Sequence, residues 1–451
     1  MKLLKCHSSL FLILLLILLR IDTICPTPCH AQNAPVQPNQ AAKKGFTRIV
    51  LSNGVRLLIK PEPSTDQVAM SLLVRMEPDT RPEDPAVGEM VARSLFYGNA
   101  TRTQNGILTL ANQAGGSIDV LHTPEYVAVT YVTRPPQLSE AIHLLCDCLK
   151  NADFAQESLQ RALKTIALER SIRHEDGFML GYDTVCSQFG VTYPSDDALR
   201  RVTQKQAQSF FHRRYLPPHT VISVVGPVDT QQIVRFFTAF LADFVRSDNR
   251  RLSSLPDPSD TLISATSKPL LTIKSTSEIA YAFVATPAPT VRSPDYPTFM
   301  VLTSLLGGGH ASRLFQQARE TLGIGYAVGT QFQSDRSDPL VTYLQWNPRR
   351  AKADVVKLLQ SFLDAIVLTP PTEEEVKRAR NFAVGQDALR HERVHERAFY
   401  AGWYEALGLG FAYDSELPRS LAAVTRAQVI QAAKIYLGTR ASVLITPHES
   451  Y

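Results

Sequence analysis

Hydrophobic and polar positions along this chain fall into strand-like and helix-like stretches, and the series of stretches occurs twice. Phe46-Thr-Arg-Ile-Val50 and Val55-Arg-Leu-Leu-Ile59 flank Asn53-Gly54, which predicts a β-hairpin. Val68 to Val74 predicts a further strand, and Ser117 to Val132 predicts two. Apolar residues spaced three and four apart predict helices at about Val87 to Leu95, Gly106 to Ala114, Gln137 to Asn151 and Gln156 to Ser171. Gly115-Gly116 supplies a stop for the second of these. In the second half the same reading gives helices at about Tyr296 to Leu306, Ser312 to Thr321, Ala353 to Ile366 and Glu373 to Gln386. The run Glu373-Glu-Glu375 suits the positive end of a helix dipole and needs no functional reading.

The two halves match at an offset of roughly 211 to 222 residues. Val68-Ala-Met-Ser-Leu-Leu-Val74 is answered by Ile279-Ala-Tyr-Ala-Phe-Val-Ala285, and Glu125-Tyr-Val-Ala-Val-Thr-Tyr131 by Pro339-Leu-Val-Thr-Tyr343. Val202-Thr-Gln-Lys-Gln-Ala with Tyr215-Leu216 pairs with Val424-Thr-Arg-Ala-Gln-Val and Tyr436-Leu437. Strands and helices cluster rather than alternate, so the expected class is α+β, two repeated sandwich domains facing each other across a cleft. The expected bounds are 46–246 and 270–451, joined by a Ser-, Asp-, Pro- and Arg-rich linker at 247–269.

Composition sets the compartment and removes several functions. With 451 residues, 44% of them hydrophobic and 20% charged, the chain has material for two ordinary cores. Lys2 and Lys5, the apolar run Leu10 to Leu19 and the polar stretch ending Cys29-His30-Ala31 follow the order of a secretory signal peptide. Residues 1–31 are therefore read as a signal, 32–45 as a flexible segment, and the protein as exported to the periplasm or another extracytoplasmic space; an uncleaved signal would leave it membrane-associated. Only Cys146, Cys148 and Cys186 lie beyond that signal, an odd number that argues for small buried apolar residues rather than a disulfide framework. A net charge of +5, or +3 without Lys2, Lys5, Arg20 and Asp22, offers nucleic acid little to hold. Gly307-Gly308-Gly309 has no lysine and Ser/Thr in register, so no nucleotide is expected.

Ser312-Arg-Leu-Phe-Gln-Gln-Ala-Arg-Glu320, followed by Leu322-Gly-Ile-Gly-Tyr326-Ala-Val328, resembles the C-terminal half of the pitrilysin-like (M16) metallopeptidase family, which includes mitochondrial processing peptidase. In that family an arginine and a tyrosine seven residues apart reach the substrate; Arg319 and Tyr326 match them in identity and spacing. The three glycines at 307–309 and the helix from Pro371-Thr-Glu-Glu-Glu-Val-Lys-Arg-Ala379 match as well.

The first half resembles the zinc-binding half of the same family, with a decisive departure. There an inverted motif, His-x-x-Glu-His, precedes a Leu-Phe-x-Gly stretch, and a third ligand, a glutamate, follows about 76 residues on. Here Leu95-Phe96-Tyr97-Gly98 is intact, but the motif reads Glu89-Met-Val-Ala-Arg93. Glu89 and Arg93 replace the two histidines, Ala92 replaces the general base, and Glu169 survives as the distal carboxylate. One carboxylate makes no zinc site, and Ala92 takes no proton from water. Arg93 is expected to form an ion pair with Glu169 and Glu89 in place of a metal. On the strand that pairs with substrate in this family, beginning at Ser117, the usual Asn-Ala pair is Asp119-Val120. His122 lies on the same strand. His391 and His395, four apart, are read as the wet face of a helix, and His174 with Glu175 and Asp176 as a solvated cap.

A broken metal motif with an intact Arg/Tyr pair is similar to one subunit of the two-chain bacterial members of the family. The resemblance implies a heterodimeric metalloendopeptidase in which this chain has no cofactor and the partner brings zinc and an intact His-x-x-Glu-His. Arg319 would hold a backbone carbonyl of an extended peptide and Tyr326 would stabilise the tetrahedral oxyanion. The alternatives are an inactive homologue that binds peptide or serves as a scaffold, and, least favoured, a self-contained metallopeptidase with other ligands.

Overall fold

The computed structural model describes residues 45–76, 81, 84–191, 193–244, 267–276, 278–334, 338–347 and 354–447. The signal segment 1–31 and nearly all of the 32–45 and 247–269 segments lie outside them. In chain order the strands are β1 (Thr47–Val50), β2 (Arg56–Pro61), β3 (Val68–Arg75), β4 (Ser117–His122), β5 (Tyr126–Thr133), β6 (Thr220–Gly226), β7 (Leu271–Ser275), β8 (Ala280–Thr286), β9 (Ala327–Gln331), β10 (Leu340–Trp346) and β11 (Ala441–Pro447). The helices are α1 (Asp84–Ser94), α2 (Gln104–Gln113), α3 (Leu138–Lys150), α4 (Gln156–Glu175), α5 (Gly177–Ser187), α6 (Asp196–Arg200), α7 (Gln204–Arg214) and α8 (Thr230–Phe240) in the first half. In the second half they are α9 (Tyr296–Gly307), a π-helical turn (Phe315–Thr321), α10 (Val355–Leu368), α11 (Glu373–Arg390), α12 (Val394–Ala406), α13 (Tyr413–Ala423) and α14 (Arg426–Tyr436).

The repeat read from sequence is a repeat of topology. One sheet runs β1-β2-β6-β3-β5-β4 and the other β7-β11-β8-β10-β9, so each half places one parallel pair beside an antiparallel series in the same order. The opening hairpin forms as expected. Gly54 has φ 99°, where a side chain is strained, and the Asn53 side chain both accepts from Val55 N–H and donates to the Leu241 and Phe244 carbonyls. The fold is α+β with two sheets, as anticipated.

The halves are interlocked. All eight residues of β3 and all seven of β6 are buried, which a sheet achieves only with both faces covered. One face meets helices of its own half, including α1, α3, α4 and α7, through a core that holds Leu57, Met70, Leu72, Met90, Ile142 and Phe211. The other face is covered by α12, lent by the second half. The exchange is reciprocal, because α5 of the first half lies on β8 and β11. Phe178 of α5 packs edge-on to Tyr343 and tilted on Phe283, with centroids at 5.0 and 5.4 Å, while Phe399 and Trp403 of α12 pack on Tyr126 at 6.3 and 6.5 Å. Phe178-Met-Leu-Gly-Tyr182 and Phe399-Tyr-Ala-Gly-Trp403 share one pattern, at an offset inside the range of the rest of the repeat.

Glycine sets the closeness of both contacts. A Cβ on Gly181 would stand 2.1 Å from a Phe283 ring carbon and 2.9 Å from Ile445 Cγ1; one on Gly402 would stand 2.6 Å from Leu73 Cδ1. Gly→Ala in a helix interior ordinarily stabilises by up to about 1 kcal/mol. Here overpacking outweighs that gain, and Gly181→Ala and Gly402→Ala are each expected to destabilise by about 1–3 kcal/mol. Gly385→Ala, in α11 with open space at the Cβ position, is the control expected to stabilise. Denaturant midpoints for the three variants check this; equal behaviour would mean the exchanged helices are not closely seated.

Candidate functional site

The first cluster is built by α1 and α4. Val87, Met90 and Val91 of α1 are in the core, which turns Glu89 and Arg93 toward α4. The buried carboxylate of Asp84 pins the start of α1 by accepting from Arg213 and Arg214 at 3.0 and 3.2 Å. Arg93 forks onto Glu169, with Nη2 to Oε2 at 2.7 Å and Nη1 to Oε1 at 3.4 Å. The expected pairing of Arg93 with Glu89 is corrected: Glu89 Oε2 accepts instead from Arg170 Nη2 at 3.2 Å, and Arg170 also donates to Asp196 Oδ1 and the Pro194 carbonyl, both at 2.8 Å. Two carboxylates on neighbouring helices thus meet two guanidiniums. Glu89 is 9% exposed, and burial raises its carboxyl pKa despite the opposing pull of Arg170 and Arg93. Ala92 is fully buried, so its position is part of the core.

Next to this cluster β4 forms the rim of its sheet. Among the described residues it pairs only with β5, Ser117 opposite Val132, Asp119 opposite Thr130 and Val120 opposite Val129. Ser117 and Asp119 are exposed and Val120 half-buried. His122, at the end of β4, packs on α1, its Nε2 lying 3.0 Å from where a Cβ on Gly88 would be. Burial and then the charge of Arg93 push its pKa down to about 4, so it is neutral and adds no second cation beside Arg93.

The second cluster lies in the other half. The expected helix from Ser312 to Thr321 forms, and from Phe315 to its end at Thr321 it is π-helical, with Leu322 N–H donating to the Gln317 carbonyl five residues back. Leu314 and Ala318 bury in the core and Arg319 faces solvent. Tyr326 immediately precedes β9 and is 76% exposed, its N–H held by the Gln345 carbonyl at 2.9 Å. Arg319 and Tyr326 are brought together: Arg319 Nη1 donates to the Tyr326 carbonyl at 3.2 Å, and its guanidinium lies 5.2 Å from the Phe315 ring centre and 5.9 Å from that of Tyr326. Among the described residues no hydrogen bond, ion pair or ring contact joins this pair to the Arg93–Glu169 cluster.

Residues 57–176 match the family model described as insulinase (peptidase family M16), and residues 201–382 match the peptidase M16 inactive domain. The chain belongs to peptidase family M16. An uncharacterized zinc protease of Streptomyces coelicolor is 25% identical, covering 88% of this chain and 88% of its own length, and one of Rickettsia felis is 24% identical, covering 90% and 99%. A crystal structure of a peptidase M16 inactive domain from Pseudomonas fluorescens superposes with a TM-score of 0.76 at 16% identity, over 90% of this chain and 98% of that one. A Helicobacter pylori protease superposes equally well, at 0.76 and 13% identity over 90% and 100%, and both carry the fold.

M16 peptidases imply zinc, and the donor set of this M16 chain does not fit it. Both Glu169 oxygens are taken by a guanidinium, Glu89 is held by Arg170, and a methyl group stands at position 92. Among the described residues no group of three or more His, Cys, Asp or Glu is arranged to hold a metal ion.

Other sequence readings of this M16 chain are corrected or refined here. His391 caps the end of α11 whereas His395 belongs to α12, so the two do not share a helix, and His391 is no wet-face residue. Its Nε2 lies 2.8 Å from Asp414 Oδ1 and its Nδ1 2.7 Å from the Asp387 carbonyl. Asp176 is a cap, accepting from Phe178 and Met179 N–H. Gly307 permits α9 to touch β9, since a Cβ there would lie 2.4 Å from Thr330 N. Arg170, Asp196 and the Glu375 partner of Arg313 escaped the sequence reading, because nothing in spacing along one helix identifies a partner on another.

Arg93→Met leaves Glu169 unpaired beside Glu89. Because the pair is about a third exposed, the expected loss is about 1 kcal/mol, read as a lower denaturant midpoint; an unchanged midpoint would mean that Arg93 contributes nothing to joining α1 and α4. Burial alone would lower the His391 pKa, but the hydrogen bond and charge of Asp414 outweigh it and hold it at about 8. The folded value lies above the unfolded one, so its contribution of about 1–2 kcal/mol is complete below about pH 6.5 and is lost as pH rises through about 8. Melting from pH 6 to 9 should show this decline in the parent and not in His391→Asn.

Proposed function

We propose that this chain is the non-zinc-binding subunit of a heterodimeric M16 metalloendopeptidase. The observation that carries the reading is the contrast between its halves: a guanidinium fork closes the metal position in the first, while Arg319 and Tyr326 stand together and exposed in the second. Zinc and the general base come from a second M16 chain with an intact His-x-x-Glu-His. Arg319 keeps Nε and Nη2 available for the backbone carbonyl of an extended peptide, and the Tyr326 hydroxyl donates to the oxyanion as the tetrahedral intermediate forms. Ser117, Asp119 and Val120, on a strand that among the described residues has no sheet partner on its outer side, are the candidates for lateral peptide contact. The complex works outside the cytoplasm, a location supported by Lys2, Lys5 and the Leu10–Leu19 run.

The test is reconstitution with an M16 chain that carries an intact His-x-x-Glu-His. This chain alone is expected to hold no stoichiometric zinc and cleave no unstructured peptide, while the mixture cleaves. Tyr326→Phe and Arg319→Ala should each lower turnover about 10² to 10³-fold without dissociating the complex, with weaker peptide binding mainly in Arg319→Ala. About one zinc per isolated chain, lost on changing Glu169, would sink the proposal. Full activity of both variants would replace it with the scaffold reading.

A further inference from the structure

The Arg319 turn is fastened by a contact outside its own helix. Arg313, two residues before the π-helical turn, forks onto Glu375 at the start of α11, with Nε to Oε1 at 2.8 Å and Nη2 to Oε2 at 3.0 Å. Its remaining Nη1 donates to the carbonyls of Thr369 and Ala365 at the end of α10, at 2.8 and 3.3 Å. Glu375 in turn accepts from Thr372 N–H at 2.7 Å, completing the capping box of α11. The Arg313 hydrogen bonds, with its charge and the Thr372 N–H, hold the Glu375 carboxyl at about 2 against the effect of burial, so the pair stays ionised throughout the working range.

A π-helical turn holds one more residue than an α-helical turn and is rarely stable on its own bonds. Its far end is tied to the second sheet by Tyr326 N–H, and its inner side by Leu314 and Ala318. Leu314 and Ala318, four apart on the buried side, oppose withdrawal from the core, and the Arg313 fork adds a polar contact that opposes rotation of the turn. Such rotation would swing Phe315 and Arg319 together, because the guanidinium rests on the Phe315 ring.

We propose that the Arg313–Glu375 pair is the positioning device for Arg319, fixing the rotation of the π-helical turn so that the guanidinium stays beside Tyr326. Its place in catalysis rests on the function proposed above; its mechanical role does not. Glu375→Gln keeps an acceptor for Thr372 N–H but loses the charge, and Arg313→Lys keeps the charge but loses the fork. In the isolated chain, both variants should speed amide exchange across residues 315–324 about tenfold while β8 and β10 stay unchanged. Unchanged exchange in the turn overturns the proposal whatever the complex does. In the reconstituted complex, Glu375→Gln should lower kcat/KM about tenfold, and most of that loss should vanish in the Arg319→Ala background, because the pair acts through Arg319. An equal loss in both backgrounds overturns the positioning role. Full activity of Arg319→Ala alone overturns the catalytic reading and leaves the pair to be judged by exchange.

Discussion

The rest of this structure depends on the mutual loan of one helix between the halves. A sheet with apolar residues on both faces exposes one of them unless a second layer arrives, and each half makes only the first layer for itself. The second layer is α5 for one sheet and α12 for the other, each carrying a glycine where it approaches its strands. The polar ends are fastened too. Glu405 at the end of α12 accepts from Arg48 and Arg56 of the opening hairpin, and Tyr182 of α5 donates to the buried Asp338 at 3.0 Å. Neither half can then keep its sheet covered without the other, which is why residues 44–451 form a single unit although the topology is a plain duplication.

This interlocking means that the fold does not depend on a metal at the position of Glu89, Arg93 and Glu169. Metal sites couple binding to folding when the fold has little else to hold it. Here α1 is seated by its apolar face and by the Asp84 contacts to α7, and β3 and β6 are buried before any ion is considered. A cation is still required electrostatically, because Glu169 and Glu89 stand on neighbouring helices. Arg93 and Arg170 meet that requirement with charges that are covalently part of the chain, and His122 stays neutral beside them. The arginine at position 93 therefore keeps α1 joined to α4 through Glu169 without a metal.

Much of this was legible in sequence. Period-two and period-3.6 patterns located the hairpin, β3 to β5 and about half of the helices within a few residues, and the offset between halves anticipated a duplicated α+β fold. The family resemblance anchored at Leu95-Phe96-Tyr97-Gly98 implied a pairing of Arg93 with Glu169, and the fork is there. What stayed hidden were relations between elements. Neither α5 nor α12 is among the helices read from sequence, and an amphipathic pattern says only that a helix has an apolar face and not which sheet receives it. Glu89 was assigned to Arg93, its neighbour on the same helix face, whereas Arg170 approaches from α4. The acidic start of α11 looked complete as a dipole feature, and the same Glu375 carboxylate also holds Arg313.

Glu375 shows how a local rule can be satisfied and still be incomplete. A capping box engages a glutamate through one oxygen, and the second oxygen and the charge remain for another partner. In this chain that partner is Arg313, two residues before the turn bearing Arg319. The start of α11 and the end of α10 are therefore both joined through Arg313 to the helix that bears Arg319. The contrast with the first half is chemical rather than architectural. There an arginine–glutamate fork closes a site, and here an arginine–glutamate fork lies behind an exposed guanidinium. The same kind of ion pair thus occurs in both copies of the repeat, and the difference lies in which groups are left facing solvent.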